Sequence, residues 1–180
     1  MTARFGAVAG GNRVTIRPAV PADDAALSEI TARAYLLGGH LRGADDSYLP
    51  ELRDVAGRRE QAAVLVGEIG GVPRGSVTIA EPGSALGEYV RPGEIEIRML
   101  TVDPAVGGRG VGSALLAAAI EHGRTGGVRR VVLHTLDSMT TAHRMYERSG
   151  FVREPEHDDE PLPGVMLRAY ALALTDGAGD

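Results

Sequence analysis

The chain has 180 residues, 43% apolar and 24% charged, with a formal net charge of −5 at pH 7. That length suits one domain with a real core, about two-thirds of its unfolded surface being buried, and no apolar run approaches the roughly 18 residues of a spanning helix. Cysteine is absent, which removes disulfides, thiolate metal sites and a cysteine-bound acyl group, and the negative balance with scattered arginines argues against a nucleic-acid partner.

All nineteen basic residues are Arg, a bias that fits a GC-rich bacterial genome. Residues 1–12 are too glycine-broken for a signal peptide and are expected as a flexible tail on a cytoplasmic protein. VTIRPAV (14–20) reads as a first strand. Pro21, Asp23 and Asp24 then open an amphipathic helix through Tyr35, its acids favoured by the helix dipole. A glycine-rich loop (36–46) and a short helix (47–60) follow. AAVLVGEI and GSVTIAE, joined by GGVPR, have the signature of a hairpin.

EIEIRMLTVD (94–103) is the next strand. Its alternation puts Glu94, Glu96 and Arg98 on the face opposite Ile95 and Ile97. After a glycine loop come a helix over 112–122, a β-branched strand at 129–136 and a helix over 139–148. Asp137 or Ser138 is expected to cap that helix, with Ala142, Met145, Tyr146 and Ser149 near one face. Gly150 stands where a left-handed cap belongs, with Phe151 folding back. An acidic loop (153–164), a strand (165–174) and a flexible tail (175–180) complete the chain. A hairpin in the first half and strand–helix alternation in the second predict an α/β fold, a mixed sheet flanked by helices, in a single domain over 13–174.

The loop VDPAVGGRGVGS holds four glycines in six positions. No register yields G-x-G-x-x-G, which disfavours a dinucleotide fold, and a chain without lysine cannot complete a P-loop. A glycine loop feeding a helix offers outward backbone N–H groups at the positive end of a dipole, a site for a diphosphate. The other reading is a tight strand-to-helix turn with no ligand.

The loop resembles motif A of the GNAT superfamily of N-acetyltransferases. Val102-Asp103-Pro104 and Ala105-Val106 precede Gly107-Gly108-Arg109-Gly110-Val111-Gly112, which lies on the signature Arg/Gln-x-x-Gly-x-Gly/Ala. Gly107 departs from it, standing where the family has Arg or Gln. Ala142, Tyr146, Gly150 and Phe151 resemble a second family element, and VTIRPAVPADDAAL resembles the usual opening. The resemblance spans residues 13–174.

It implies acetyl-CoA as co-substrate, without metal, in the gap between two splayed central strands. The diphosphate would rest on the amides of Gly107, Gly108, Arg109, Gly110, Val111, Gly112 and Ser113, and the pantetheine arm on the backbone of Leu100, Thr101 and Val102. Ser138, Met139 and Tyr146 would flank the thioester. Tyr146 is expected as the acid, or as a half-buried aromatic with no part in the reaction. Glu96 is expected as the base, directly or through water, with Glu94 as a substitute, or both as solvated edge charges. The oxyanion would need an amide near Leu100 if the strand bulges there.

For the acceptor, a small-molecule or peptide amine, the resemblance points to Tyr35, His40, Asp45, Asp46 and Tyr48 together with residues 156–160, where the acids suit a cationic amine or are merely solvated. His122, His134, His143 and His157 show no metal-ligand spacing, and His134 reads as a core or cleft residue. No membrane partner is expected, and the last strand is a candidate homodimer surface. The rival reading is a catalytically silent CoA-binding sensor or partner module.

Overall fold

The computed structural model describes residues 5–7 and 13–174, with side chains from Arg13 onward. Residues 1–4, 8–12 and the predicted tail at 175–180 lie outside the described residues. Contacts gather into two units, Met1–Ile79 with Met99–Ala119, and Ala80–Arg98 with Ile120–Asp180.

The first unit carries β1 (Phe5–Ala7), β2 (Val14–Pro18), α1 (Asp24–Leu37), α2 (Leu49–Arg53), α3 (Val55–Gln61), β3 (Ala63–Ile69) and most of β4 (Val72–Ala80). It also holds the end of β5 (Glu94–Val102) and the start of α4 (Val111–Thr125). Strands β1 to β4 pair antiparallel in chain order. Phe5–Ala7 is thus a strand rather than part of a tail, pairing Phe5 with Ile16 and Ala7 with Val14; three residues are too few for a period to register. The hairpin turn is two residues, Gly70 and Gly71, both at positive φ, the geometry whose twist matches the flanking strands.

Leu27, Ile30, Val55 and Val66 form the buried cluster beneath α1 and α3. The helix predicted over 47–60 is broken at Asp54, whose side chain accepts the Gly57 N–H at 2.9 Å and caps α3 on its own account. Ahead of α1, Asp23 accepts the Val20 N–H and pairs with Arg17, which also grips Glu68 of β3.

The second unit holds the start of β5, β6 (Arg130–Leu136), α5 (Thr140–Arg148), β7 (Val152–Arg153), β8 (Asp159–Leu162) and β9 (Val165–Ala173). Strands β5 and β6 run parallel, Glu94 opposite Arg130 through Ile97 opposite Leu133, while β6 and β9 are antiparallel. Parallel and antiparallel ladders in one fold are the mixed α/β architecture expected. Strand β9 takes β6 on one edge and β7 and β8 on the other.

Helix α5 departs from expectation at its start and on its face. Met139, not Asp137 or Ser138, is the N-cap, and no side chain caps it. The buried face carries His143 and Tyr146, and Ser149 is exposed. Its end follows the sequence: Gly150 has φ +90°, and the N–H groups of Gly150 and Phe151 return to the carbonyls of Glu147 and Tyr146.

In the first unit Gly75 of β4 has no room for a side chain, since a Cβ there would lie 2.5 Å from the Thr101 carbonyl oxygen. Gly75→Ala is expected to lower stability by about 2 kcal/mol or more, read from the denaturant midpoint at unchanged slope.

Candidate active site

Both ends of the glycine loop are pinned within the first unit. Asp103, at the end of β5, is 4% exposed and receives three donors: the Ala105 N–H at 3.1 Å, Arg33 at 3.0 Å and Arg74 at 3.0 Å. Burial opposes its ionisation, but the Ala105 N–H and the Arg74 and Arg33 guanidiniums outweigh that, and the carboxyl sits below the usual carboxylate range. At the other end Val111 and Leu115 lie over Gly67 of β3, where a Cβ would come within 3.0 Å of Val111 Cγ1 and 3.3 Å of Leu115 Cγ.

Between the pins, Gly108 (φ +79°) and Gly110 (φ +81°) take a conformation closed to L side chains without strain. A Cβ on either would meet no heavy atom within 4 Å. The loop is exposed over 107–110, so the space that its missing side chains leave is open rather than filled by its neighbours. Two of the amides expected to face a ligand are turned inward, Gly107 N–H to Pro104 and Arg109 N–H to Val106. Ala114 N–H makes the bond to Gly110 at 2.9 Å, so the N–H groups of Val111, Gly112 and Ser113 stand in the first turn of α4 with no intrahelical acceptor. That turn, with Gly108 and Gly110, fits a diphosphate; the side chain missing at Gly107 removes one brace.

The strand entering this loop is kinked. Met99 has φ +48°, the one positive value among described non-glycine residues, in the middle of β5. For an unbranched residue this conformation costs on the order of 1–2 kcal/mol. Beyond it Thr101 is buried with its hydroxyl 3.3 Å from that of Thr31, while Leu100 and Val102 are half-buried. Tyr35 stacks edge-on against Tyr48 and His40, and burial lowers the pKa of His40.

In the second unit Glu94 and Glu96 are 6% and 2% exposed, so neither is a solvated edge charge. Glu94 is spoken for: it accepts Arg130 at 2.9 Å and the Arg91 N–H at 3.1 Å. Arg130 also grips Glu154 at 2.6 Å, closing a carboxylate–guanidinium–carboxylate bridge. Glu96 makes a long contact from Oε1 to His134 Nδ1 at 3.4 Å, and its buried Oε2 has no hydrogen-bond partner. His134 Nε2 lies 3.2 Å from the His157 carbonyl oxygen, and the Tyr89 ring lies against the imidazole at 4.1 Å. Glu94, Arg130, His134, Glu154, Tyr89 and Tyr170 line a cleft of about 260 Å³.

Tyr146 is 6% exposed and packs among Phe151 and Tyr170, and burial pushes its phenol well above the ordinary value. Met139 Sδ accepts the Thr135 hydroxyl, and Ser138, which precedes it, is exposed. Three acids of the late loop are engaged rather than merely solvated: Asp158 holds Arg153, Asp159 receives the Tyr89 hydroxyl, and Glu160 accepts the Gly164 N–H. Asp46 likewise accepts the N–H groups of Arg42 and Tyr48. Arg130 and Tyr89 escaped the sequence reading, and Asp103 entered it only as part of a motif. An Asp before Pro-Ala does signal a capped turn, but nothing local names Arg33 and Arg74 as its partners.

Among the described residues no group of three His, Asp or Glu side chains could hold a metal ion, and no helix is long and apolar enough to cross a membrane. Residues 26–151 match the Acetyltransferase (GNAT) family. The chain is 34% identical over 146 residues to a mycothiol acetyltransferase of Cellulomonas flavigena, covering 78% of this chain and 41% of that protein. The chain thus spans about two-fifths of that relative. Among solved structures, yncA of Salmonella typhimurium, with its cofactor acetyl-CoA, is 26% identical with a TM-score of 0.66, covering 92% of this chain and 96% of that one. The GNAT domain of S. lividans PAT shares the fold at a TM-score of 0.70 and 20% identity, covering 95% of this chain and 97% of that one.

Asp103, with a lowered folded pKa, contributes stability above its unfolded value, and that share is lost as pH falls through the folded pKa. Asp103→Asn is expected to cost about 2 kcal/mol at pH 7, less than a fully buried pair because Arg33 and Arg74 are partly solvated. Urea unfolding between about pH 6 and pH 2 should show that deficit shrinking toward the acid end.

Proposed function

This chain belongs to the GNAT acetyltransferase family, and from that premise we propose that it transfers acetyl from acetyl-CoA directly to a primary amine of a small molecule or peptide. The observation that carries the reading is the open glycine turn, whose faces at Gly108 and Gly110 meet nothing within 4 Å while the first turn of α4 supplies N–H donors. Acetyl-CoA, when bound, supplies a thioester carbonyl for an amine nitrogen to attack. With no cysteine to take the acetyl group, direct attack needs the fewest steps.

The proposal divides the work among named residues. Val111, Gly112 and Ser113 hold the diphosphate through their N–H groups, helped by Gly108, Gly110 and the Arg109 side chain. Leu100 and Val102 offer main-chain groups to the pantetheine arm as an added strand would, the Thr101 side chain being committed to Thr31. The peptide turned by Met99 presents the Leu100 N–H to the carbonyl oxygen as charge develops.

Tyr146 protonates the departing thiolate. The phenol, like any tyrosine, carries a proton to give throughout the neutral range, and Tyr146 stands on α5 packed against Phe151 and Tyr170. An alkyl amine arrives mostly as ammonium, with a pKa near about 10, and must lose a proton before its lone pair can attack. Glu96 is the buried carboxylate that draws that proton. Its burial and its unpartnered Oε2 support the assignment, because a carboxylate satisfied on all sides, as Glu94 is, has no capacity to spare. Tyr35 and Tyr48 are assigned to the acceptor's outer part. We place the reaction in the cytoplasm, with no nucleic acid or membrane involved.

The direct experiment combines titration calorimetry of acetyl-CoA with thiol release across a panel of primary amines. Acetyl-CoA binding with no thiol release from any amine would instead make the chain a silent CoA-binding module, a reading that the bare Gly107 position keeps in play. Gly108→Val should weaken acetyl-CoA binding at least about tenfold, a branched side chain being forced into the open cradle. Tyr146→Phe should lower kcat about 100-fold with the acetyl-CoA Kd within about twofold; an unchanged kcat removes Tyr146 from the reaction.

A further inference from the structure

Resting on the acetyl-transfer reading above, we propose that the acceptor is a di- or polyamine, its second ammonium seated in the cleft of the second unit about 7 Å from the reacting nitrogen. The cleft measures about 260 Å³, just under the roughly 300–1,000 Å³ typical of ligand pockets, and suits a slender chain. Val90, Val132 and the Tyr89 ring give it a wall for methylenes.

Charge decides what the far end of that chain must be. Two carboxylates and one guanidinium meet inside the cleft, Arg130 lying 2.9 Å from Glu94 and 2.6 Å from Glu154. One negative charge is left over. The two carboxylate side chains are 8% and 26% exposed, so water screens the surplus only in part, and a cation brought by the ligand completes the balance. At the rim Glu88 and Arg91, exposed on the loop before β5, offset one another.

The hydrogen bonds point the same way. Inside the rim the donors are spent: Arg130 on Glu94 and Glu154, the Tyr89 hydroxyl on Asp159 and the Tyr170 hydroxyl on Glu147. Acceptors remain. Glu154 Oε1 takes one N–H and Oε2 takes two, one of them from His157 Nδ1 at 3.0 Å, which leaves one of about four carboxylate lone pairs free. A neutral His157 that donates from Nδ1 also keeps a lone pair on Nε2. An ammonium, all donors and no acceptor, matches such a lining, and a carboxylate does not.

The strand sets the spacing. Glu94 and Glu96 stand two residues apart on one face of β5, opposite Arg130 and Val132 of β6, which at about 3.3 Å per residue is about 7 Å. The reacting nitrogen belongs beside Glu96, whose buried Oε2 has no partner and whose Oε1 is 3.4 Å from His134 on the cleft wall. Its companion then belongs beside Glu154 and His157. A four-carbon chain of bonds about 1.5 Å long holds two nitrogens about 6 Å apart when extended, which matches that interval.

The test compares 1,4-diaminobutane, 4-amino-1-butanol, butylamine and 4-aminobutanoate by titration calorimetry with coenzyme A present, at about pH 8, where an imidazole is ordinarily neutral. The diamine should bind at least about tenfold more tightly than the alcohol or butylamine, and 4-aminobutanoate most weakly. Equal affinity for diamine and alcohol, tightest binding of 4-aminobutanoate, or no binding by any of them at millimolar concentration overturns the proposal. Glu154→Gln removes the surplus charge and should bring the diamine within about twofold of the alcohol while leaving butylamine unchanged; an undiminished preference for the diamine also overturns it. Should that variant fail to fold, the wild-type order decides alone. Thiol release separates this proposal from the reading beneath it. The expected binding order with no thiol released from any amine sinks acetyl transfer and leaves the diamine site. Release at equal kcat/KM from all of them sinks the diamine site and leaves acetyl transfer.

Discussion

One buried carboxylate orders the glycine loop of the first unit. A run of glycines has more backbone freedom to lose than any other sequence and no side chains with which to recover the loss. The loop after β5 is therefore shaped from outside itself. Asp103 draws in Arg33 from α1 and Arg74 from β4 while capping the turn that begins at Pro104. At the far end Val111 and Leu115 settle over Gly67, where the lack of a side chain on β3 lets α4 approach. What lies between can then stay exposed and open, because its conformation is fixed by contacts that a ligand does not need.

The second unit handles buried charge in the opposite manner. Glu94 is saturated by Arg130 and a main-chain N–H, and Arg130 by Glu94 and Glu154, so that bridge is a structural clamp between β5, β6 and the segment after β7. Glu96, two residues along the same strand, is left with one long contact to His134 and an oxygen without a partner. An unsatisfied buried polar atom costs about 1–3 kcal/mol, and proteins keep such a cost where chemistry uses it. The positive φ of Met99, three residues further, is a second stored strain on the same strand. Strand β5 thus concentrates the features that a fold optimised for stability alone would remove.

Much of the architecture was legible from local pattern. Alternating apolar residues placed β2 and β5, the Gly70-Gly71 pair marked the hairpin, and Gly150-Phe151 marked the end of α5, each a signal carried within a few residues. The failures share a cause. The break at Asp54 hangs on one side-chain hydrogen bond, and α5 begins after Met139 with no side-chain cap to mark it. The inward turn of the Gly107 and Arg109 amides depends on the loop's path, and His143 rather than Ser149 lies on the buried side of α5 because of where Tyr170 lies.

The sequence by itself determined the mixed α/β class, the order of most elements and the glycine turn at the head of α4, since these rest on periodicity, turn chemistry and short motifs; the candidacy of Glu96 and Tyr146 came through the resemblance to the GNAT family. Only the tertiary structure decided which carboxylates are spent and which is left wanting, that the glycine turn is open, and that Glu96 meets His134. Those outcomes depend on partners 29 to 70 residues away in the chain, as in Arg74 and Arg33 with Asp103, or His134 with Glu96 at 38. No local propensity carries such pairings; they exist once burial forces each buried charge to find, or to lack, a counterpart.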